Sequence, residues 1–437
     1  MKSGFYSTKN RNLNVDLKTA VLQGLAPDKG LFMPHQIKRL PPEFFTGTDK
    51  MSFSEIGIEI LKAILGDGLD EKVLQDIVND AFTFDAPLVP LGDSTWVQEL
   101  FHGPTLAFKD FAARFMARLM GYFVKGSKRE LWILVATSGD TGSAVANGFY
   151  KVPGIKVVIL YPSGRVSGLQ ELQLTTLGEN ITTLEVKGTF DDCQRIVKTA
   201  FLDGDLTARY MMSSANSINI ARLAPQAVYY VYGWSRRPDI KAPMVFSIPS
   251  GNFGNLTGGL LARRIGLPVR QFIASTNVND SVPRYLSSGG FEPRSTIHTI
   301  SNAMDVGNPS NFERILDLYD GSHEAMRRDI VGYSFTDTET RKAIRELFNN
   351  YGYMCEPHGA VGWLGLNKYR KEEGGEGLDG IFHETAHPAK FSEVLEEETG
   401  KKAAIPERIG KIFEKKKHAI LMSNEYQDFK DYMLGQR

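Results

Sequence analysis

The chain has 437 residues, enough for two or three domains with a large core, and its 51 basic residues balance its 51 acidic residues. A chain without net charge has no overall field to attract nucleic acid or an anionic membrane. Cys193 and Cys355 are the only cysteines, which argues against a disulfide framework or a thiolate zinc site. The N-terminus lacks an apolar signal core and no stretch is long enough to span a bilayer, so we expect a soluble cytoplasmic protein.

The predicted elements change in kind along the chain. The first hundred residues are expected to be mostly helical, with helical apolar spacing at residues 53–65 and 73–82. From residue 131 onward short β-rich runs alternate with amphipathic stretches, and residues 190–202 and 218–234 have helical spacing. The predicted strands are residues 131–135, 157–161, 181–186, 244–248 and 272–274. Such alternation is typical of parallel sheets with crossover helices and predicts an α/β fold.

A lysine near the start of a predicted helix, residues 107–123, is the first candidate catalytic group. Asp110, Arg114 and Arg118 fall four apart and predict one polar stripe with a favourable Asp-to-Arg pair. Lys109 lies off that stripe, and its helical neighbours are apolar: Ala112, Ala113, Met116 and Met120. A lysine aimed at an apolar surface is partly desolvated, which lowers its pKa and makes a neutral amine available for Schiff-base chemistry. The alternative is a lysine whose stem covers apolar surface while its amine reaches water.

Two glycine-containing loops follow predicted strands and precede predicted helices, an arrangement that presents backbone N–H groups to an anion. The first, residues 137–142 (Thr-Ser-Gly-Asp-Thr-Gly), suits a carboxylate, although Ser, Asp and Thr are also ordinary helix caps. The second, residues 250–255 (Ser-Gly-Asn-Phe-Gly-Asn), has glycines that permit close backbone approach. It lacks the ending of a nucleotide P-loop and the dinucleotide spacing, so a monophosphate fits better than ATP or NAD.

A third polar segment lies between these loops, at residues 213–222. Asn216 and Ser217 stand at a predicted helix start, and Arg222 follows a turn and a half later. These three side chains could converge on a second phosphate through charge-assisted hydrogen bonds. A routine N-cap with a surface arginine explains the same residues equally well.

The segment His383-Glu384-Thr385-Ala386-His387 matches the His-Glu-x-x-His pattern of zinc peptidases, which requires both imidazoles on one helix face. Pro388 argues against that helix, because proline removes a backbone donor and pushes the preceding residue out of the helical region. No third ligand stands at a recognised spacing. We therefore expect no metal site, and the metalloprotease remains only as an alternative.

Several motifs, in order along nearly the whole chain, resemble threonine synthase, a pyridoxal-phosphate (PLP) enzyme of the fold-type II group. They are residues 6–10, residues 24–34, the segment 102–111 around Lys109, both glycine loops, residues 213–222 and residues 385–391. The resemblance implies an α/β protein with two parallel-type domains behind a mostly helical N-terminal region.

The resemblance also implies a division into three approximate and interleaved units. Residues 1–95 would form the N-terminal helical region, and residues 96–240 the domain that carries the PLP lysine and binds substrate. Residues 241–437 would bind the PLP phosphate and end in a helical tail.

Each candidate residue receives a role from the same resemblance. Lys109 would hold PLP as a Schiff base and then serve as the base, Asp140 would lie near the cofactor's 3-oxygen, and Thr385 would meet the pyridine nitrogen. A hydroxyl at that nitrogen supports a neutral ring. The PLP phosphate would be held by Ser250, Gly251, Asn252, Phe253, Gly254 and Asn255. The substrate's carboxylate would be bound by Thr137, Ser138 and Thr141, and its phosphate by Asn216, Ser217 and Arg222.

The implied activity is conversion of O-phospho-L-homoserine and water to L-threonine and phosphate by γ-elimination and β-addition, the last step of threonine biosynthesis. A related phospho-lyase that releases 2-oxobutyrate and phosphate would show nearly the same motifs. A catalytically silent PLP-binding protein is the alternative from another class. We expect a monomer or small homo-oligomer, and no control by S-adenosylmethionine, because the N-terminal extension of plant threonine synthases is lacking.

Overall fold

The computed structural model describes residues 4–92, 94–374 and 378–436. The N-terminal region combines helices with a three-stranded antiparallel sheet in the order β2-β1-β3. Its elements are β1 (Phe5–Ser7), β2 (Asn10–Val15), α1 (Leu17–Gln23), β3 (Phe32–Pro34), α2 (Pro42–Gly47), α3 (Phe53–Leu65) and α4 (Glu71–Ala81).

The helices predicted at residues 53–65 and 73–82 are confirmed as α3 and α4. The small sheet was not predicted, because strands this short show no periodicity and asparagine-rich β2 has low strand propensity.

The middle of the chain alternates strands and helices. The elements are β4 (Leu88–Pro90), β5 (Thr95–Glu99), α5 (Lys109–Val124), β6 (Leu131–Ala136), α6 (Asp140–Phe149), β7 (Ile155–Pro162), α7 (Gly168–Thr175), β8 (Ile181–Val186), α8 (Phe190–Ala200), α9 (Gly204–Arg209), β9 (Met211–Ser214), α10 (Ile220–Leu223), α11 (Gln226–Ser235) and β10 (Met244–Pro249). The single helix predicted over residues 218–234 is two helices, because Pro225 cannot supply the backbone donor that would continue α10.

The remaining elements complete both sheets. They are α12 (Gly254–Ile265), β11 (Gln271–Thr276), α13 (Ser281–Ser288), α14 (Phe312–Leu318), α15 (His323–Asp329), β12 (Ile330–Ser334), α16 (Asp337–Tyr351), α17 (Pro357–Glu373), β13 (Asp379–Glu384), α18 (Ser392–Thr399), α19 (Glu407–Gly410), β14 (Ile420–Met422) and α20 (Tyr426–Gly435). Short 3₁₀ turns occupy Thr48–Lys50, Asn302–Met304, Pro388–Phe391 and Lys411–Glu414.

Two larger sheets organise the protein. The first has five parallel strands in the order β14-β8-β7-β6-β9. The second has six strands in the order β12-β11-β10-β13-β5-β4, and only its edge pair β4-β5 is antiparallel. The α/β fold with parallel sheets is thereby confirmed. Each sheet also takes strands from both sides of residue 240, since β5 lies in the second sheet and β14 in the first.

The topology decides where a site can form. In parallel α/β sheets, ligands bind beyond the carboxyl ends of the strands. Both predicted glycine loops lie there, after β6 and β10, and so do residue 385 after β13 and residues 215–217 after β9. In the described ranges no helix has the length and apolar character needed to cross a membrane.

Candidate active site

Lys109 is the first residue of α5, and the polypeptide on either side of it is fixed to the end of β13. The Phe108 amide donates to the Thr385 carbonyl at 2.9 Å, and Ala107 forms an isolated antiparallel bridge with Ala386. The Lys109 side chain is only 17% exposed, and its Nζ lies 3.6 Å from Oδ2 of Asp140 and 5.0 Å from the centre of the Phe108 ring. The lysine is therefore held mostly inside the site.

The surroundings of Lys109 favour its neutral form. Burial lowers the pKa of Lys109, the carboxylate of Asp140 opposes that effect, and the cations of Lys390 and Arg222 reinforce it. This is the direction expected from the sequence. The apolar surface predicted around Lys109 is only part of the cause, because two cations and an acid from other elements also act on it.

The polar stripe predicted on α5 is wrong in one respect: among the described residues Asp110 does not pair with Arg114. Asp110 is buried and accepts hydrogen bonds from Thr105, at 2.8 Å from its backbone amide and 2.5 Å from its hydroxyl. Arg114 instead donates to the Ala81 carbonyl at 2.8 Å. The carboxylate stabilises the turn before α5, and sequence spacing alone could not show that this turn folds back over the helix start.

The first glycine loop places Thr137 and the start of α6 beyond β6. The Thr137 hydroxyl accepts from the amides of Gly139 at 3.0 Å and Gly142 at 2.8 Å and donates to the Gly139 carbonyl at 3.2 Å, so it holds the loop in shape. The hydroxyls of Ser138 and Thr141 make no hydrogen bond to any residue that the structure describes; Ser138 is exposed and Thr141 is half-buried. Of the three hydroxyls predicted as carboxylate donors, the one on Thr137 is committed to the loop, and the other two are available.

Asp140 opens α6 and is shared by two lysines. Lys390 Nζ lies 2.7 Å from its Oδ1, and Gln170 Nε2 donates to the same oxygen at 2.8 Å. Burial opposes ionisation of Asp140, but the ammonium groups of Lys390 and Lys109 outweigh it and hold the pKa of Asp140 well below its ordinary value. Sequence reasoning gave Lys390 no role; its only signal is a lysine within an otherwise apolar Pro-Ala-Lys-Phe run.

The second glycine loop turns from β10 into α12 through a strained residue. Phe253 has φ 61°, in the left-handed region, and a Cβ at Gly251 would lie 2.6 Å from Met304 Cα. Asn255 donates from Nδ2 to the Pro249 carbonyl at 2.7 Å and accepts from the Ser250 hydroxyl at 3.1 Å. Because these side chains brace the loop, an anion here would be bound by backbone N–H groups at the start of α12.

The third segment lies against the second loop. Asn252 Nδ2 donates to the Ser217 hydroxyl at 2.8 Å, and Asn311 Nδ2 donates to the same oxygen at 3.2 Å. Both bonds use the lone pairs of Ser217 Oγ, so its proton remains for an acceptor such as a phosphate oxygen. The two predicted phosphate-binding segments are therefore neighbours.

Arg222 is not a surface arginine, which removes the simpler explanation of this segment. Its side chain is 4% exposed, and Nη1 donates to the Ala215 carbonyl at 2.6 Å. Burial lowers the pKa of Arg222 to about 10. Over the described part of the chain Nε has no hydrogen-bond partner, and no carboxylate lies within ion-pair distance. A buried cation without a counter-ion fits an anionic ligand.

Thr385 follows β13 and is buried beside Glu356. Its hydroxyl lies 3.4 Å from Oε1 of Glu356. Glu356 caps α17, because its Oε2 accepts from the His358 amide at 2.8 Å and its Oε1 from the Gly359 amide at 3.1 Å. Glu356 is thus the N-cap of α17, and it touches the predicted pyridine contact.

The zinc pattern does not form the helix that it requires. His383 and Glu384 belong to strand β13, and His387 lies beyond its end. His383 packs 4.8 Å from the Tyr230 ring centre, and burial lowers its pKa to about 3. Within residues 4–92, 94–374 and 378–436 no cluster of three or more His, Cys, Asp or Glu side chains is placed to hold a metal ion.

Taken together, the buried amine of Lys109, the Thr385 hydroxyl and the amide-lined start of α12 fit an aldehyde cofactor that has a ring nitrogen and a phosphate. They define a PLP-dependent enzyme, and the family model "Pyridoxal-phosphate dependent enzyme" matches residues 83–379. The models "Threonine synthase N terminus" and "Threonine synthase, C-terminal" match residues 4–82 and 359–433. The chain belongs to the threonine synthase family.

Individual relatives agree over almost the whole chain. Threonine synthase of Escherichia coli (strain K12) is 44% identical over 409 residues, 92% of this chain and 93% of that protein. The crystal structure of threonine synthase from Escherichia coli superposes with a TM-score of 0.91 at 40% identity, covering 99% of this chain and all of that one. PLP-bound threonine synthase from Brucella melitensis gives a TM-score of 0.92 at 32% identity, covering 99% and 98%.

Proposed function

We propose that this chain converts O-phospho-L-homoserine and water to L-threonine and phosphate. The observation that carries the proposal is Arg222, a buried guanidinium beneath the loop of Asn216 and Ser217 without a carboxylate partner in the described chain. A buried cation is destabilised unless an anion lies beside it, and a substrate phosphate would supply that negative charge. The Asn252 to Ser217 hydrogen bond keeps this position next to the loop that holds the cofactor phosphate.

Lys109 has two tasks in this proposal. Its neutral amine bonds the cofactor aldehyde, and after the substrate amine takes its place it moves the proton at the substrate's α-carbon. PLP, when bound, supplies the electron sink that stabilises negative charge at that carbon. The lowered pKa of Lys109 supports both tasks, because an ordinary lysine would stay protonated at neutral pH.

The other predicted site residues bind and orient the cofactor and the substrate. The backbone N–H groups of residues 254 and 255 at the start of α12 would hold the cofactor phosphate, and Ser250 to Asn255 shape that loop. Thr385 would meet the pyridine nitrogen of the cofactor, and Asp140 would lie near its ring oxygen. Ser138 and Thr141 bind the substrate carboxylate, while Thr137 shapes their loop.

Arg222, Ser217 and Asn216 then act on the leaving group. As the bond between the γ-carbon and its oxygen breaks, negative charge grows on the phosphate that these side chains surround. A buried guanidinium acts strongly here, because little water screens it. This stabilisation favours substrates with a phosphate over free serine or threonine.

Product analysis tests the proposal. The full chain is incubated with PLP and O-phospho-L-homoserine, and the products are identified by NMR. We expect threonine and phosphate in equal amounts. The release of 2-oxobutyrate with phosphate would place the enzyme with the phospho-lyases, and unchanged substrate would contradict the proposal altogether.

A cytoplasmic location belongs to the same proposal. Cys193 and Cys355 are both buried free thiols, as suits a reducing compartment.

A further inference from the structure

One carboxylate serves two lysines at the centre of the site. Lys390 Nζ lies 2.7 Å from Oδ1 of Asp140, whereas Lys109 Nζ lies 3.6 Å from Oδ2. The Lys390 side chain has no exposed surface, Asp140 is 6% exposed and Lys109 is 17% exposed. The closer and more buried partner of Asp140 is therefore Lys390, a residue that the proposed reaction does not use.

A single carboxylate compensates only one of two ammonium groups in a place that excludes water. Arg222 of α10 adds a further cation. The neighbouring Asp110 of α5 is a weak second anion, because burial raises its pKa and favours its neutral form. One lysine must give up its proton. Lys109 has the longer contact with Asp140, so its ammonium is the less stabilised of the two and is the one that gives up its proton.

Without Lys390, Lys109 would be the lysine that stays protonated. The full negative charge of Asp140 would then act on Lys109 alone and form an ordinary buried ion pair, which keeps a lysine protonated. A protonated amine has no lone pair to form a carbon–nitrogen bond.

We propose that Lys390 is a positioning residue that occupies Asp140 and so keeps Lys109 uncharged and able to bond the cofactor aldehyde. In that step the lone pair of Lys109 Nζ forms a bond to the aldehyde carbon, the amine loses its two protons, and the aldehyde oxygen leaves as water. The inference rests on the proposed role of Lys109 as the cofactor lysine.

The test measures the pH dependence of cofactor bonding. The full chain, freed of cofactor by dialysis, is mixed with PLP, and the visible absorbance of the bound form gives a rate constant at each pH. Lys390→Met removes both the charge and the hydrogen bond to Asp140, Lys390→Gln removes the charge alone, and Lys390→Arg keeps the charge as the matched control.

We expect the midpoint of the rate profile to rise by about one to two pH units in both neutral variants, the effect of one nearby charge in a buried site. The midpoint for Lys390→Arg is expected to match that of the unchanged protein. A neutral variant with an unshifted midpoint overturns the proposal, and if Lys390→Met fails to fold, Lys390→Gln carries the test. A merely structural role would change stability without moving the midpoint.

A separate experiment tests the assignment of Lys109 as the cofactor lysine. Borohydride reduction followed by peptide mass spectrometry locates the cofactor. Label on a residue other than Lys109 refutes its role as the cofactor lysine. Label on Lys109 with an unshifted midpoint refutes the role of Lys390 alone.

Discussion

Replacing Arg222 by methionine keeps most of the side chain's length and apolar stem but removes the guanidinium. In the described structure Nη1 is engaged by the Ala215 carbonyl at 2.6 Å, which leaves Nε and Nη2 for a substrate phosphate. Hydrogen bonds to charged groups contribute about 1.5–3 kcal/mol each, so losing two costs about 3–6 kcal/mol of transition-state stabilisation. The expected fall in kcat/KM is therefore roughly 10²- to 10⁴-fold.

The assay compares kcat/KM for O-phospho-L-homoserine in the unchanged protein, Arg222→Met and Arg222→Lys, with phosphate release as the signal. Lysine keeps a charge without the planar fork, so an intermediate loss is expected. The affinity for PLP, measured by absorbance titration, is expected to stay near that of the unchanged protein, because the cofactor loop lies on α12. A loss below tenfold, or an equal loss of PLP affinity, would refute the assignment of Arg222 to the substrate phosphate.

Four further results are expected. Lys109→Ala should abolish both the visible absorbance of bound cofactor and turnover, and normal activity in this variant would refute the lysine assignment. Thr385→Val should weaken PLP binding about tenfold through loss of one hydrogen bond; an unchanged dissociation constant speaks against a pyridine contact. Because Lys109 is protonated below its lowered pKa, cofactor bonding should slow as the pH falls, with a midpoint below that of ordinary lysines, and a midpoint in the ordinary range contradicts this. Gly103→Ala should destabilise the fold by about 1–3 kcal/mol in urea unfolding, since its Cβ would collide with Asp110, and unchanged stability would show that the turn adjusts.

The sequence predicted the elements that carry long, regular patterns. Helix α3 and strand β8 match their predicted ranges to the residue, because their apolar spacing directly reflects burial. β13 was not predicted, although it positions Thr385, because its sequence Asp-Gly-Ile-Phe-His-Glu carries polar residues at both ends of a buried strand. The buried carboxylate of Glu384 is tolerated in this strand because Cys355 Sγ and the Glu356 amide both contact it at 2.8 Å. Such partners cannot be recognised from the sequence.

In the site, too, local sequence patterns were recognised and contacts between distant residues were not. Lys109 and Arg222 became candidates because polar groups next to helix starts stand out in a sequence, and Asp140 became one through the family resemblance. The lowered pKa of Lys109 was predicted from its apolar surroundings, but the contribution of Lys390 was not, because Lys390 lies 281 positions further along the chain. Likewise Asp110 was given to Arg114 by helical spacing, whereas the fold gives it to Thr105.

The most direct test of the central claim follows an oxygen atom. If elimination at the γ-carbon is followed by addition of water at the β-carbon, the carbon–oxygen bond breaks and phosphate leaves with its bridging oxygen. The reaction is run in water enriched in oxygen-18, and both products are analysed by mass spectrometry. The account predicts one heavy oxygen in the threonine hydroxyl and none in the phosphate, whereas heavy oxygen in the phosphate would show hydrolysis at phosphorus and contradict it.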